Sequence, residues 1–232
     1  MGVACVQVFG SEGDFAPAAG GASLAVRASS SNSAASGTAL SVSAPSGTAT
    51  GDLVIVICHI NGQTTIVDNN GGTSFTEDLN DFQPNTTSGM TCSIFSRRIL
   101  AGDPSTYNFT GGVSARWAVV AVAFSNPDPS VIYDVSTGTA NTDNPPSDTV
   151  ATIPSVTTVT DKSIHLAVGL ADGAGTPLTS DPAGYTALQS TSNQGIRAAW
   201  KQITPAGSTG VQTMSCTAND GVIGLSIAIK SP

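Results

Sequence analysis

The chain has 232 residues, a formal net charge of −8 and a pI near 4.3, with 10% charged and 5% aromatic residues. A field of that sign repels phosphate backbones, so a nucleic-acid partner is not expected. Apolar runs stop near ten residues, short of the ~20 needed to cross a bilayer as a helix. Met1 to Cys5 lacks the basic and apolar regions of a secretory signal, so a protein made and used without export is expected.

Residues 1–34 read as an N-terminal arm, with one short strand at Val3 to Phe9 and a Ser/Ala/Asn linker from Ser29 to Gly37. Residues 35–124 then form a first repeat. Ala39 to Ala44 alternates weakly. Leu53 to Ile60 is a β-branched run that opens on Gly51-Asp52 and closes on Asn61-Gly62, the pattern of a buried strand. Phe75 to Leu79, Met90 to Leu100, Tyr107 to Thr110 and Ala115 to Phe124 are further strands, with a polar loop from Asn80 to Gly89. A Pro-rich connector spans 125–146 and holds a candidate strand at Val131 to Val135.

Residues 147–232 repeat the first set. Ile164 to Leu170 follows Val54 to Ile60, and Tyr185-Thr186 follows Phe75-Thr76, both at a spacing of 110. Trp200 answers Phe95 and Ala206-Gly207 answers Ala101-Gly102 at a spacing of 105, and Val222 to Ile229 answers the strand from Trp117. Order and spacing both point to an internal duplication. No segment carries a sustained 3.6-residue apolar period, so helix is minor. The expected fold is all-β, an antiparallel β-sandwich or jelly roll formed from two duplicated halves, with two tandem sandwiches as the other arrangement.

In the second half, Ile223, Leu225, Ile227 and Ile229 share one face with small residues between them, and Ile164, Leu166, Val168 and Leu170 make a matching inward row. Carried to the first half at the 110 spacing, that phase points Val54, Val56, Cys58 and Ile60 inward. It leaves Ile55, Ile57, His59, Trp117 and Val119 outward. Large apolar patches on a free face mark interaction sites, so these five are the candidate interface, covered by the arm or by a neighbouring subunit. The alternative is a sheet sandwiched inside the monomer.

Residues that carry chemistry are few. His59 and His165 occupy non-equivalent places on equivalent strands, unlike a duplicated catalytic or metal site. No nucleophile elbow, P-loop or dinucleotide fingerprint occurs. The four cysteines Cys5, Cys58, Cys92 and Cys216 lack metal-ligand spacing. They read as free thiols, with a Cys92–Cys216 disulfide as the alternative. The acidic group Glu77, Asp78 and Asp81 reads as a solvated loop, and Asp78 with Phe82 is the candidate glycan contact. Asp68-Asn69-Asn70 and the group Asn141, Asp143 and Asn144 resemble calcium loops in composition only. Hence no cofactor is expected, with Ca²⁺ as the weaker option, and no catalytic residue is assigned.

Gly51 to Leu53, Phe75-Thr76, Leu100 to Gly102 and Trp117 to Phe124 together resemble the β-sandwich virion structural proteins of tailed bacteriophages, and domains of bacterial surface proteins. The second half keeps Asp161, Tyr185-Thr186, Ala206-Gly207 and Val222 to Ile229, but has Thr160 where the opening glycine would stand. The resemblance implies a non-enzymatic head decoration, fibre or tail component. Such a protein assembles in the host cytoplasm as a homo-oligomer and contacts other virion proteins such as the major capsid protein. The alternatives are a carbohydrate-binding or adhesin module and, behind it, a glycan hydrolase.

Overall fold

The computed structural model describes residues 22–62, 64–82, 89–136, 139–142, 148–173, 178–191 and 195–232, without the side chains of 80–82, 139–142, 148 and 218–220. The candidate strand Val3 to Phe9, Cys5, Asp143 and Asn144 lie outside these residues. Among the described residues there is no helix, and the strands are β1 (Ala25–Ser43), β2 (Leu53–Asn61), β3 (Ile66–Asp68), β4 (Thr76–Phe82), β5 (Met90–Arg98), β6 (Thr106–Ser125), β7 (Thr139–Thr142), β8 (Asp148–Ile153), β9 (Ser163–Ala171), β10 (Thr186–Ser190), β11 (Gly195–Ile203), β12 (Gln212–Asp220) and β13 (Val222–Ile229).

Two antiparallel sheets face each other. The first runs β4–β5–β2–β6–β1 and the second β10–β11–β9–β13–β7. Between them lies the main core. The first sheet contributes Leu53, Ile55, Ile57, Ile94, Val120, Val122 and Phe124, and the second contributes Ile164, Leu166, Val168, Leu170, Leu225 and Ile227. Both central strands β2 and β9 are buried along nearly their whole length. That explains why their sequences are continuous apolar runs rather than alternating ones.

The alternate residues of the first sheet bury into a second cluster. It joins Val54, Val56, Cys58, Ile60, Trp117, Val119 and Ala121 to Leu40, Val42, Ile66, Phe75, Tyr107 and Phe109. The cover comes from the same chain. β1 and β6 are 19 and 20 residues long and pair almost throughout, from Ala25↔Ser125 to Ser43↔Thr106. Register shifts flank Gly37, where Gly37↔Ala115 is followed by Ala39↔Thr110, so β6 carries the extra residues. Such a bulge bends a ribbon, and this ribbon folds its far half back over the outer face of its own sheet. β3 joins that half through Ile66↔Gly111 and Asp68↔Phe109. Ser30 Oγ donates to Ser43 O at 2.5 Å and Asn32 Nδ2 to Ser41 O at 2.7 Å, tying the two halves of β1 together.

Trp117 sits at the bend. Its Nε1 donates to Gly37 O at 2.8 Å. A Cβ on Gly111 would lie 2.6 Å from the indole Cζ2, so only glycine lets the ring lie against that backbone. The second sheet is covered in a similar way by β8 paired with β12, whose Ala151, Ile153 and Met214 lie over Ala167, Ala171, Ala199 and Val222. The result is four layers: ribbon, first sheet, second sheet and β8–β12 pair.

Five sequence expectations change. Tyr107 to Thr110 and Ala115 to Phe124 are parts of one strand, β6, and Val131 to Val135 is no strand, with only the isolated bridge Tyr133↔Ile229. The arm does not extend to residue 34, because Ala25–Ser43 is one strand and includes the supposed linker. The polar loop begins later than Asn80, since β4 runs to Phe82. The 110-residue spacing does not carry faces across. Leu53 pairs with Phe124 and Ile164 with Ile229, all four in the main core, so the face-to-face spacing of β2 and β9 is 111. A one-residue slip flips a whole strand, and Phe95 and Trp200 accordingly lie in different clusters.

The β8–β12 pair approaches the second sheet closely at two glycines. At Gly224 an added Cβ would fall 2.0 Å from the Thr152 carbonyl oxygen, a backbone atom. At Gly169 it would meet only the ends of Met214 and Leu178, at 3.0 and 3.1 Å. Gly224→Ala is therefore expected to lower unfolding stability by about 1–3 kcal/mol through overpacking. Gly169→Ala is expected to cost less than about 1 kcal/mol, since flexible side chains give way. Urea denaturation of the two variants compares them; equal losses would contradict the close seating of β8 on β13.

Candidate functional site

The five residues expected to form an interface are all interior. Ile55, Ile57, His59, Trp117 and Val119 are each 0% exposed in the single chain. Ile55 and Ile57 face the second sheet, and Trp117 and Val119 lie under the folded ribbon. The first sheet does carry an apolar outer face, covered by the monomer itself, but on β2 it is made by Val54, Val56, Cys58 and Ile60 and not by Ile55 and Ile57.

His59 is directly opposite Cys92 across β2 and β5. The pairing is not that of an activated dyad. Burial lowers the His59 pKa to about 4, against a smaller opposing effect of the Gly195 backbone. Burial also pushes the Cys92 thiol well up. Both groups are held neutral in a dry core, whereas a nucleophilic cysteine needs a lowered pKa and access. Cys58, Cys92 and Cys216 are all buried, and Cys92 and Cys216 are not joined in a disulfide.

Asp78 stands on the edge strand β4, and the Tyr133 hydroxyl donates to its Oδ2 at 2.5 Å. Burial raises its pKa, with the neighbouring Ser96 and Tyr133 hydroxyls acting the other way. The carboxylate is thus committed to the connector rather than offered to a ligand. Phe82 closes the same strand, and its side chain lies outside the description. Asp68 is also committed, accepting from Asn70 N at 3.0 Å and Phe75 N at 2.6 Å. No group of three or more His, Cys, Asp or Glu able to hold a metal occurs among the described residues.

The one histidine in a polar constellation is His165, on the outer face of the second sheet. Its Nδ1 lies 2.6 Å from the Tyr185 hydroxyl and its Nε2 2.5 Å from Ser226 Oγ. The order resembles a hydrolase relay, but Ser226 is 1% exposed. Burial first, and the Lys201 charge second, lower the His165 pKa to about 4. A nucleophile with no open face has no substrate to attack, so this constellation is a structural linkage. Sequence alone hid it, because Ser226 and His165 meet only through the β9–β13 register, which pairs Ser226 with Ala167 and Ala228 with His165.

Among the described residues, exposed apolar loop residues gather at one end of the sandwich. Arg98 of β5 donates to the Asp128 carbonyl, and Lys230 lies 3.2 Å from the Asp128 carboxylate, so the ends of the two sheets meet there. Loops 44–52, 99–105, 126–134, 154–162 and 204–211 gather at this end. Of the six exposed large hydrophobics among the described residues, Leu100, Val131, Val159 and Val211 lie on these loops, and Val159 is 73% exposed. An open cleft of about 510 Å³ lies between Pro45, Ala49, Leu100, Pro104 and Tyr107.

The charges at this end are mostly compensated. Asp52 accepts from Arg27 Nε at 2.6 Å and from Ala49 N at 2.8 Å. Asp103 takes a bidentate pair from Arg97 at 2.7 and 2.8 Å, and that pairing holds its carboxyl below the usual range. Asp128 is lowered by the amides of Val131 and Ser130. Asp134 accepts from Val159 N at 2.6 Å and Thr160 N at 3.0 Å. In an acidic chain, this end therefore presents apolar tips over neutralised carboxylates. No protein-family model, curated protein or solved structure matches the chain.

The two depressed histidines set a pH dependence. A lowered folded-state pKa gives stability that is present above the unfolded value of 6.5 and lost as pH falls towards 4. Asp78, shifted upward, acts in the opposite sense. Between pH 7 and pH 5 the loss is expected to be about 2 kcal/mol per histidine. Denaturant midpoints across that range test it. The fall should shrink by about half in His59→Gln or His165→Gln, and an unchanged slope in both would contradict the assignment.

Proposed function

We propose that the protein is a non-enzymatic structural component of a virus particle, a capsid decoration or another head or tail surface component. It acts through contacts with copies of itself and with other virion proteins such as the major capsid protein. The observation that carries this reading is the open end of the sandwich, where Leu100, Val131, Val159 and Val211 stand exposed over paired carboxylates. A surface of apolar tips over mostly paired charges loses less desolvation energy on docking than one of free charges, and depletion of charge marks the centre of protein interfaces. Support also comes from the resemblance of the β-strand motifs to phage virion proteins. In addition, His59, Cys92 and Ser226 all lie buried where no substrate reaches them.

A carbohydrate-binding or adhesin role is the second reading, favoured by the open cleft between Pro45 and Pro104. Quantitative mass spectrometry of gradient-purified particles separates the two. A fixed copy number per particle is expected, with Leu100→Glu/Val159→Glu folding normally but failing to incorporate. Absence from purified particles would overturn the structural role. Glycan-array binding that is lost in Ala49→Trp, which would fill the cleft, would favour the second.

A further inference from the structure

The chain enters its first sheet at the loop end of the sandwich. Ala22 and Ser23 line a cleft of about 440 Å³ there, together with Thr160, Lys162 and Ser231. Asn126 Nδ2 donates to Ser23 O at 3.2 Å, and Leu24, 1% exposed, is already in the main core, so the chain is anchored at this point. Two of the exposed valines border the cleft. Val159 precedes Thr160, and its N donates to Asp134 Oδ2 at 2.6 Å. Val131 precedes Ile132, whose carbonyl accepts from Lys230 N at 2.9 Å, next to Ser231. They are 73% and 46% exposed.

Residues 1–21 lead into this point. Their apolar side chains are concentrated in Val3 to Phe9, where Gln7 alone is polar. Glu12 and Asp14 follow, and residues 1–21 contain no Lys or Arg. The opposite sign waits at the cleft. Lys162 is exposed on its lining, while the neighbouring Asp161 accepts from the Thr204 hydroxyl at 2.6 Å. Twelve residues, Gly10 to Gly21, separate the apolar run from Ala22. They span at most about 40 Å, ample for valines that border the cleft. A tether of that length holds the run at a local concentration on the order of mM, well above that of a second copy in dilute solution. The run of the same chain is therefore the occupant favoured by mass action.

We propose that Val3 to Phe9 folds back over Val131 and Val159 of the same chain, with Glu12 and Asp14 set against Lys162, so that this segment covers part of the loop end. The contact is chiefly apolar, because removing the run and the two valines from water together is favourable. The pairing at an exposed lysine adds little and is screened by salt. Where the loop end meets another molecule, the segment is displaced first. That consequence rests on the contact role proposed above, whereas the docking itself does not.

Cys5 is the probe, since Cys58, Cys92 and Cys216 are buried. The full chain is labelled with N-ethylmaleimide, and mass spectrometry assigns each cysteine. Cys5 is expected to react about tenfold more slowly than in the same chain unfolded in urea. Val131→Ser/Val159→Ser should quicken Cys5 about fivefold, with Cys58 and Cys92 unchanged. Val6→Ser/Val8→Ser, which alters only the segment, should do the same. Cys5 reacting at the unfolded rate in the native chain, or an unchanged rate in either double variant, would overturn the proposal. Protection should hold on dilution. Its loss on dilution would assign the cover to a second copy and overturn the same-chain docking as well. The measurement uses purified protein alone, so absence from particles would sink the contact role without touching this result. An unprotected Cys5 would conversely leave the contact role standing.

Discussion

The indole of Trp117 and the bend it occupies constrain the rest of the structure. A two-sheet sandwich built from β2, β5, β6 and their counterparts buries only one face of each sheet. The other face of the first sheet carries Val54, Val56, Ile60 and Val119, too much apolar surface to leave in water. The chain closes that face by folding the β1–β6 ribbon over it, which requires a sharp bend. Gly37 and Gly111 supply the bend, and Trp117 fills it while satisfying the Gly37 carbonyl. Truncating a large buried aromatic of this kind costs about 3–5 kcal/mol. Here the loss would fall on the joint between two layers rather than on one strand pair.

Closing both outer faces from within has consequences for surface and site. Ionisable groups that enter the layers are kept neutral, as His59, His165 and Cys92 are. Those nearer the surface are matched, as in the Arg97–Asp103 and Arg197–Asp181 pairs. Edges are handled locally. Gln189 of β10 bonds Ser29 and Ser31 of β1, closing one side of the sandwich with side chains instead of a ladder. With faces and one edge engaged, the described loops at one end of the sandwich present exposed apolar tips.

Much of the fold was legible in the sequence. β2, β6, β9 and β13 are long apolar runs bounded by turn residues, and an all-β sandwich follows from them. The β1 segment through Ser29 to Ala34 was not legible, because Ser and Asn carry little strand preference. It is a strand because β6 pairs with it along its whole length. Face assignment failed for a different reason. A strand buried on both sides, such as β2, has no alternation to fix its phase, and the correspondence at 110 residues set that phase one residue wrong. Ile55 and Ile57 were thus turned outward when they face the second sheet. Trp117 was rightly placed on the outer face, but its cover lay in Leu40, Tyr107 and Phe109, short strands that sequence reading left without a destination. The His165–Tyr185–Ser226 linkage depends on register and on the turn before Tyr185, and the meeting of the three does not show in a one-dimensional pattern. The exposed tips Leu100, Val159 and Val211 were present in the turn segments all along, but a single apolar residue in a loop carries no signal until neighbouring loops are seen to converge.

The central claim is that the first sheet's outer face is closed by its own chain and not by a partner. Tryptophan fluorescence of a Trp200→Phe variant reports on Trp117 alone. The account predicts blue-shifted emission and negligible iodide or acrylamide quenching, both constant on dilution through the range where the protein sediments as a monomer. Emission that shifts red and becomes quenchable on dilution would show that a second molecule supplies the cover, and would contradict it.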